Sequence, residues 1–115
     1  MSMNLYVERS RNATAVVKGK KKRFVDRSSF NLWQTPTEVT RRLLQEKDTL
    51  AAYCDWVLSS SVEYELKIYA EDDIWQERDP IGVEVCNDGK DHIESLLEWV
   101  NESIEDGYQI KFYEI

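Results

Sequence analysis

The segment Val62–Ala70 most restricts the fold of this chain, because apolar and polar residues alternate along it. Apolar side chains occupy every second position, and Glu63, Glu65 and Lys67 lie between them. Successive side chains of a β-strand point to opposite faces of its sheet, so this pattern predicts a strand with one buried face. Shorter extended segments predict five further strands, at residues 3–8, 13–18, 22–26, 81–86 and 108–113.

A helical period begins after Thr35–Glu38, a segment typical of a helix start. Its first threonine can cap the helix, Pro36 suits the first helical position, and Glu38 completes a capping box. Apolar residues then recur at helical spacing, at Val39, Leu43, Leu50, Cys54 and Val57. The pattern predicts one helix that ends at residues 59–61, with a break at Asp48, which could cap a second segment, as the alternative.

A second helix is predicted after the turn at residues 87–89, where Asn87 or Asp88 supplies the cap. Gly107 ends it, because glycine readily adopts the left-handed conformation that follows a helix. The expected buried face has offsets of 0, 3, 4, 7 and 11 residues, at Ile93, Leu96, Leu97, Val100 and Ile104.

These elements follow one another in the order β-β-β-α-β-β-α-β. We therefore expect a single α+β domain over residues 1–115, with a mainly antiparallel sheet of five to six strands. The two helices are expected to pack on one face of that sheet. A crossover through the second helix would allow strands 81–86 and 108–113 to lie parallel.

Charge is strongly segregated along the chain, whose formal net charge is −7. Residues 1–50 contain 11 Lys and Arg against 5 Asp and Glu, a balance of +6. Residues 51–115 contain 4 against 17, a balance of −13. Such segregation predicts a molecule with a cationic end and an anionic end.

The acidic half carries the leading functional hypothesis, a non-enzymatic module that binds a basic protein surface. An inhibitor, immunity or antirestriction-type factor would act in this way. Carboxylates recur at helical spacing on the second helix. A further group of carboxylates surrounds a tryptophan in the loop at residues 71–80, between the strands 62–70 and 81–86. The predicted binding residues are Glu94, Glu98, Glu102, Glu105, Asp72, Asp73 and Trp75. The plain alternative is that these carboxylates only keep an exposed helix face soluble.

The basic segment Lys18–Arg27 supplies the second hypothesis, nucleic-acid binding through a hairpin. Its cations could contact phosphates, while Phe24 or Tyr6 offers a ring for base stacking. The candidate residues are Lys18, Lys20, Lys21, Lys22, Arg23 and Arg27. The plain alternative is a solvated turn whose lysines protect a sheet edge. A homodimer could also join the basic hairpin of one copy to the acidic helix of another.

Enzymatic function receives little support from the sequence. His92 is the one histidine, and the dipole at the start of its helix disfavours the charged imidazole. Glu65-Leu66-Lys67 matches the end of the metal-dependent nuclease pattern PD-(D/E)xK, but Asp79-Pro80 has the reverse order of the required Pro-Asp. A nuclease-like enzyme is therefore the third hypothesis. No catalytic residue, metal site or cofactor is predicted.

The cysteines and the hydropathy bear on location. Cys54 and Cys86 belong to no Cys/His cluster, so both are expected to be buried small apolar residues rather than zinc ligands. No apolar run approaches the length of a membrane helix, and residues 1–10 lack the apolar stretch of a signal peptide. We therefore expect a cytoplasmic protein without membrane contact.

Overall fold

The computed structural model describes residues 4–70 and 79–115, which form five strands and three helices. The order is β-β-α-α-β-β-α-β. In chain order the elements are β1 (Leu5–Val17), β2 (Lys20–Phe30), α1 (Thr37–Gln45), α2 (Thr49–Ser60), β3 (Glu63–Ile68), β4 (Gly82–Asn87), α3 (Asp88–Glu105) and β5 (Gln109–Glu114). The fold is α+β as expected, and five strands agree with the expected five to six. They form two sheets rather than one, however, and there are three helices rather than two.

The larger sheet has three antiparallel strands in the order β2-β1-β5. β1 and β2 form a long hairpin closed by a two-residue turn, Lys18-Gly19, in which both residues have positive φ. Such turns match the right-handed twist of the flanking strands. β5 pairs only with Leu5–Ser10 of β1. Residues 11–26 therefore continue as a two-stranded ribbon, which we call the distal ribbon.

The prediction of two strands within residues 3–18 is wrong, because β1 runs unbroken through its polar middle. Arg9 and Arg11 interrupt the apolar alternation, which suggested a break. Both side chains lie on the helix-facing side of the strand, where guanidinium contacts to Tyr108 replace apolar packing. The ladder continues because these polar residues find partners far away in sequence.

The helices pack on one face of the three-stranded sheet, which we call its inner face. The buried side chains come from β1 and all three helices: Leu5, Val7, Leu43, Tyr53, Val57, Ile93, Leu96 and Val100. Three of the five apolar positions predicted for the second helix are buried. Leu97 and Ile104 are instead 38% and 57% exposed, since they lie at one margin of the buried stripe.

The helix boundaries follow local capping signals. Asp48 accepts a hydrogen bond from the Ala51 N–H at 3.1 Å, so the alternative with two helical segments is the observed one. The capping box at Thr35–Glu38 is wrong: Pro36 is the residue at the cap, and no side chain bonds the exposed N–H groups there. The Thr35 hydroxyl is hydrogen-bonded to the Thr40 hydroxyl, and both residues are buried.

α3 is capped at both ends. Asn87 Oδ1 accepts a hydrogen bond from the Lys90 N–H at 2.9 Å. At the other end, the Tyr108 and Gly107 N–H groups donate to the carbonyls of Ser103 and Ile104, with Gly107 at φ 83°. This pair of bonds is a Schellman motif, which satisfies carbonyls that the helix leaves open.

β3 and β4 form a separate two-stranded antiparallel sheet, which we call the β3–β4 ribbon. The predicted parallel pairing of strands 81–86 and 108–113 is wrong, because β4 pairs with β3 and β5 pairs with β1. All six side chains of β3 are exposed, so its apolar face is not covered as the alternation suggested. A sequence pattern gives the amphipathic character of a strand but not the surface that covers it.

The two ribbons make the molecule extended. Its Cα radius of gyration is 20.0 Å, against about 13 Å for a compact domain of this length. Its accessible surface is 8958 Å², against roughly 6,600 Å² expected for a compact chain of this mass. No helix in the described ranges is both long enough and apolar enough to cross a membrane.

Candidate binding surfaces

The acidic face of α3 consists of Glu94, Glu98, Glu102 and Glu105, all of which are exposed. They span about 16 Å along the helix. The opposite side of α3 is fixed in the core, so the backbone that carries these carboxylates is held in place. Among residues 4–70 and 79–115, no lysine or arginine forms an ion pair with any of the four.

The last turn of α3 is electrostatically unfavourable for its own helix. Glu102, Glu105 and Asp106 lie where the helix dipole favours cations, and the turn contains no basic residue. Arg11 partly compensates, because its Nη1 donates a hydrogen bond to the Asp106 carbonyl at 2.7 Å. The acidic face is therefore built at a cost to local stability.

The predicted cations of the basic hairpin all lie on the distal ribbon or just below it, and all are exposed. The register divides them between two faces, because directly paired residues share a face. Lys20 and Lys22 pair with inner-face residues of β1, whereas Lys21, Arg23 and Arg27 lie on the outer face. Residues 11–26 contain six Lys and Arg against one Asp.

A polar cluster anchors the base of the distal ribbon to the end of α3. The ring of Tyr108 lies 4.5 Å from the Arg9 guanidinium and 4.1 Å from that of Arg11. Its hydroxyl donates to Asp26 at 2.6 Å, and this hydrogen bond is the main reason that the pKa of Tyr108 is raised. Arg9 also reaches the buried hydroxyl of Ser103 at 3.1 Å.

The lysines near the turn of the distal ribbon and the acidic face of α3 do not neutralise each other. Within the described part of the chain, the ion pairs join Arg11 to Asp26 and Arg27 to Glu8. The contact of Arg11 with the end of α3 fixes the start of the distal ribbon. Lys18 lies seven residues farther out, or about 20 Å at the usual rise of a strand.

His92 contributes to the core rather than to a catalytic arrangement. Its Nε2 is hydrogen-bonded to the Tyr53 hydroxyl at 2.8 Å, and its ring stacks on Trp33. Partial burial lowers the pKa of His92, and burial raises that of Tyr53 to about 12. A neutral imidazole that is hydrogen-bonded to a part-buried tyrosine is a structural partner.

The nuclease-like tripeptide lies on the exposed β3–β4 ribbon. Glu65 and Lys67 share one face, on which β4 places Val83 and Val85 opposite them. In the described ranges, no three His, Cys, Asp or Glu side chains come together in a way that could hold a metal ion. The carboxylates that this chemistry needs beside Glu65 are therefore not supplied by the neighbouring strand.

The other predicted positions have mixed outcomes. Cys54 and Cys86 are free thiols but only half-buried, so the expected full burial is wrong. Burial, with smaller contributions from Asp55 and Asp48, raises the pKa of Cys54 and keeps its thiol protonated. Asp72, Asp73 and Trp75 lie outside the described residues.

The sequence reasoning missed the apolar surface of the β3–β4 ribbon. Tyr64, Leu66 and Ile68 line one face, and Val83 and Val85 line the other. Their exposed fractions range from 41% to 67%. The signal was present in the alternation of each strand, but only the pairing register shows that the apolar rows lie on opposite faces.

No protein-family model, no curated protein and no solved structure matches this chain. Its possible functions are therefore judged from its own surfaces.

Proposed function

We propose that this chain is a non-enzymatic protein-binding module whose acidic α3 face engages a basic surface of another protein. An inhibitor, immunity or antirestriction-type factor works in this way. One observation carries the proposal: four exposed carboxylates line a firmly capped helix and have no cationic partner among the described residues.

The cost of this arrangement supports a binding role. Glutamates at i, i+4 spacing repel each other by roughly 0.2–0.5 kcal/mol per pair. The carboxylates of the last turn also oppose the helix dipole. A cationic partner would reverse both effects, whereas mixed charges would keep the same face soluble at lower cost.

An apolar margin beside the carboxylates provides contact area for a partner. Leu97 and Ile104 lie about two turns apart along the same helix and are substantially exposed. Covering such exposed apolar side chains on binding is favourable, while surrounding charges guide approach and orientation. We expect the carboxylates to set the rate of association and these two side chains to slow dissociation.

Affinity capture with matched variants tests the proposal. Basic proteins should be retained from a lysate of the host by the wild-type chain and lost with Glu94→Gln, Glu98→Gln and Glu102→Gln combined. The control carries Glu38→Gln on α1 and Glu46→Gln at its C-cap, two exposed carboxylates away from α3. Retention should fall as salt rises. Equal capture by the α3 variant and the wild-type chain would refute the proposal.

The distal ribbon favours a second candidate function, nucleic-acid binding. A two-stranded ribbon fits the major groove of B-DNA, and cations on both of its faces could reach phosphates on both groove walls. Lys20 and Lys22 on one face and Lys21 and Arg23 on the other are arranged in this way.

Fluorescence anisotropy with a labelled duplex separates this candidate from the first. Binding through the ribbon would weaken steeply with salt and disappear in the combined variant Lys20→Glu, Lys21→Glu and Lys22→Glu. The α3 variant, which raises the net charge, should bind the duplex at least as well as the wild-type chain.

A cytoplasmic location belongs to both candidates and is supported by the two free thiols.

A further inference from the structure

The outer edge of β3 is open. β3 pairs with β4 on one side, and no other described strand pairs with it. An exposed strand edge presents unpaired N–H and C=O groups, which proteins usually protect with charge, proline or a covering element. Six exposed side chains flank this edge, three of which are apolar.

The backbone groups that point to this edge can be assigned. The Asp88 N–H donates to the Val62 carbonyl, so the backbone groups of Val62 face β4. Direction alternates along an antiparallel strand, so those of Tyr64 and Leu66 also face β4. The backbone groups of Glu63, Glu65 and Lys67 therefore point outward.

The side chains of β3 are self-complementary about Leu66. When two copies of the strand run antiparallel with Leu66 opposite itself, Glu65 lies opposite the partner's Lys67, and Lys67 lies opposite the partner's Glu65. Tyr64 then faces the partner's Ile68. A shift of the centre by one residue would move the two strands by two positions. A centre at Lys67 would place this lysine opposite its own copy, and a centre at Glu65 would form two Glu63–Lys67 pairs but place Glu65 opposite its own copy. Only the Leu66 centre forms two opposite-charge pairs without a like-charge pair.

From this edge we propose that two copies of the chain form a two-fold symmetric dimer through antiparallel pairing of their β3 strands about Leu66. The outward backbone groups of Glu65 bond to those of the partner's Lys67, and the symmetry operation repeats the bonds. The two ribbons become one four-stranded sheet, β4-β3-β3-β4. The partner is a second copy because this chain itself supplies the matching charges.

The dimer gives the ribbon the support that the single molecule lacks. An isolated two-stranded hairpin is marginally stable in water, whereas three or more strands with an apolar face can be stable. Pairing joins the Tyr64, Leu66 and Ile68 rows of both copies into one continuous apolar surface. The accessible surface of 8958 Å² exceeds that of a compact chain by about 2,400 Å². The chain therefore has surface available for an interface, which in a standard dimer takes roughly 800 Å² from each copy.

The other open strands are less suited to self-pairing. The outer edge of β2 carries consecutive lysines at residues 20–22, so a second copy would be repelled. β4 contains no lysine or arginine that could pair with Glu84 of a second copy, and a centre at Glu84 would place two carboxylates opposite each other. The pairing of β3 leaves α3 and the distal ribbon free, so it is independent of the proposed protein-binding function.

Charge exchange at two positions tests the register by sedimentation velocity. Glu65→Lys and Lys67→Glu each place like charges opposite one another twice in the dimer, and each should weaken dimerisation at least about tenfold. The double variant Glu65→Lys, Lys67→Glu restores both pairs and should dimerise like the wild-type chain. An equal mixture of the two single variants should form heterodimers, which native mass spectrometry resolves by mass.

Glu84→Lys is the matched control, because it makes the same charge change on β4, away from the open edge of β3. It should leave the dimer unchanged. The proposal is overturned if the wild-type chain remains monomeric up to about 0.1 mM, a concentration at which weak strand pairing would be populated. It is also overturned if the double variant is no better than the single ones.

A cysteine scan locates the axis directly, in a chain with Cys54→Ser and Cys86→Ser. Opposed residues of a pair that is not hydrogen-bonded have Cα atoms about 4.5 Å apart, within the range of a disulfide. Leu66→Cys should therefore form a covalent dimer on mild oxidation. Ile68→Cys should not, because the two copies of residue 68 would lie about 13 Å apart along the strands. Equal cross-linking at both positions would refute the Leu66 centre.

Discussion

The distal ribbon and the β3–β4 ribbon differ in how they are anchored. Both extend from the packed helices and the part of the three-stranded sheet beneath them, which we call the body. The distal ribbon continues a three-stranded sheet and is joined at its base to the end of α3 by Arg9, Arg11 and Tyr108. Among the described residues, the β3–β4 ribbon is attached where α2 ends and α3 begins, through the bonds between Val62 and Asp88. One ribbon is an extension of the core, and the other depends on a single junction.

The two ribbons also differ in the side chains that they expose. The distal ribbon is strongly cationic and is held by side chains that contact helix α3. The β3–β4 ribbon is richer in exposed apolar residues and has the weaker attachment. We infer that the first can project without a partner, whereas the second gains stability from one. Four measurements compare the two anchors, in order of decreasing effect.

Gly89 is the residue on which the junction of the β3–β4 ribbon depends. A Cβ at this position would lie closer to the Ser61 Cβ than two carbon atoms can approach, and 3.2 Å from the Val57 carbonyl. Because both neighbours belong to the end of α2, Gly89→Ala should force α2 and α3 apart. We expect a loss of about 2–3 kcal/mol in the free energy of unfolding, measured by urea denaturation at one protein concentration.

Gly82→Ala is the matched control on the same ribbon. A Cβ there would meet only the end of the Ile68 side chain, at an ordinary distance of 4.0 Å. We expect a change within about 0.5 kcal/mol. Similar losses for both variants would mean that the junction is not the critical point of attachment.

Arg9 tests the anchor of the distal ribbon. Its guanidinium donates to Ser28 and to the buried Ser103, and lies over the rings of Trp99 and Tyr108. Arg9→Met keeps most of the aliphatic stem but removes these hydrogen bonds, so we expect a loss of about 1–2 kcal/mol. Arg23→Met, on the exposed part of the ribbon, should change stability by less than about 0.5 kcal/mol.

The contrast between these anchors also explains what the sequence could predict. Asp48, Asn87 and Gly107 mark helix ends through local conformation or bonds to residues a few positions away. Gly107 is confirmed as the helix end, Asn87 is the observed one of the two predicted caps, and the break at Asp48 is the alternative that the structure bears out. The continuity of β1 was missed because it depends on Tyr108, nearly one hundred residues from Arg9. Local signals are contained in a short segment, whereas strand pairing is decided by distant partners.

The candidate surfaces follow the same rule. The exposure of Glu94, Glu98 and Glu102 could be derived from helical period alone, because the opposite side of α3 is strongly apolar. The exposure of Leu66 and Val85 could not be derived from the alternation of their strands. Each belongs to an alternating strand that resembles a half-buried one, and only the separation of β3 and β4 from the core leaves both apolar rows open.

The turn of the distal ribbon provides a smaller and more local effect. Gly19 has φ 78°, a conformation in which a side chain is strained by about 1 kcal/mol. Gly19→Ala should therefore speed amide hydrogen exchange at Val17 and Lys20 while leaving the amides of β5 unchanged. Lys18→Asn should slow exchange at the same sites, because asparagine tolerates the φ of 52° better than lysine does. Faster exchange throughout β5 would show that the ribbon is not an independent unit.

The smallest expected effect is a pH dependence of stability that arises from His92, which lies in the body from which both ribbons extend. Partial burial lowers its pKa below the ordinary value of 6.5. Between the two pKa values the unfolded chain binds more protons than the folded one, so stability falls as pH decreases through this window. Well above pH 6.5 both states hold a neutral imidazole, and His92 contributes no pH dependence. The melting temperature of the wild-type chain should therefore decrease between pH 7.5 and 5.5.

His92→Gln removes the titrating group and retains an acceptor for the Tyr53 hydroxyl. Its melting temperature should be lower at pH 7.5 but should vary less with pH than that of the wild-type chain. Because Tyr53, Trp33 and His92 lie in the body, hydrogen exchange in the distal ribbon should follow pH in the same way in both proteins. An equal decrease in melting temperature for the two chains would show that other groups cause the pH dependence and that the titration of His92 does not contribute to it.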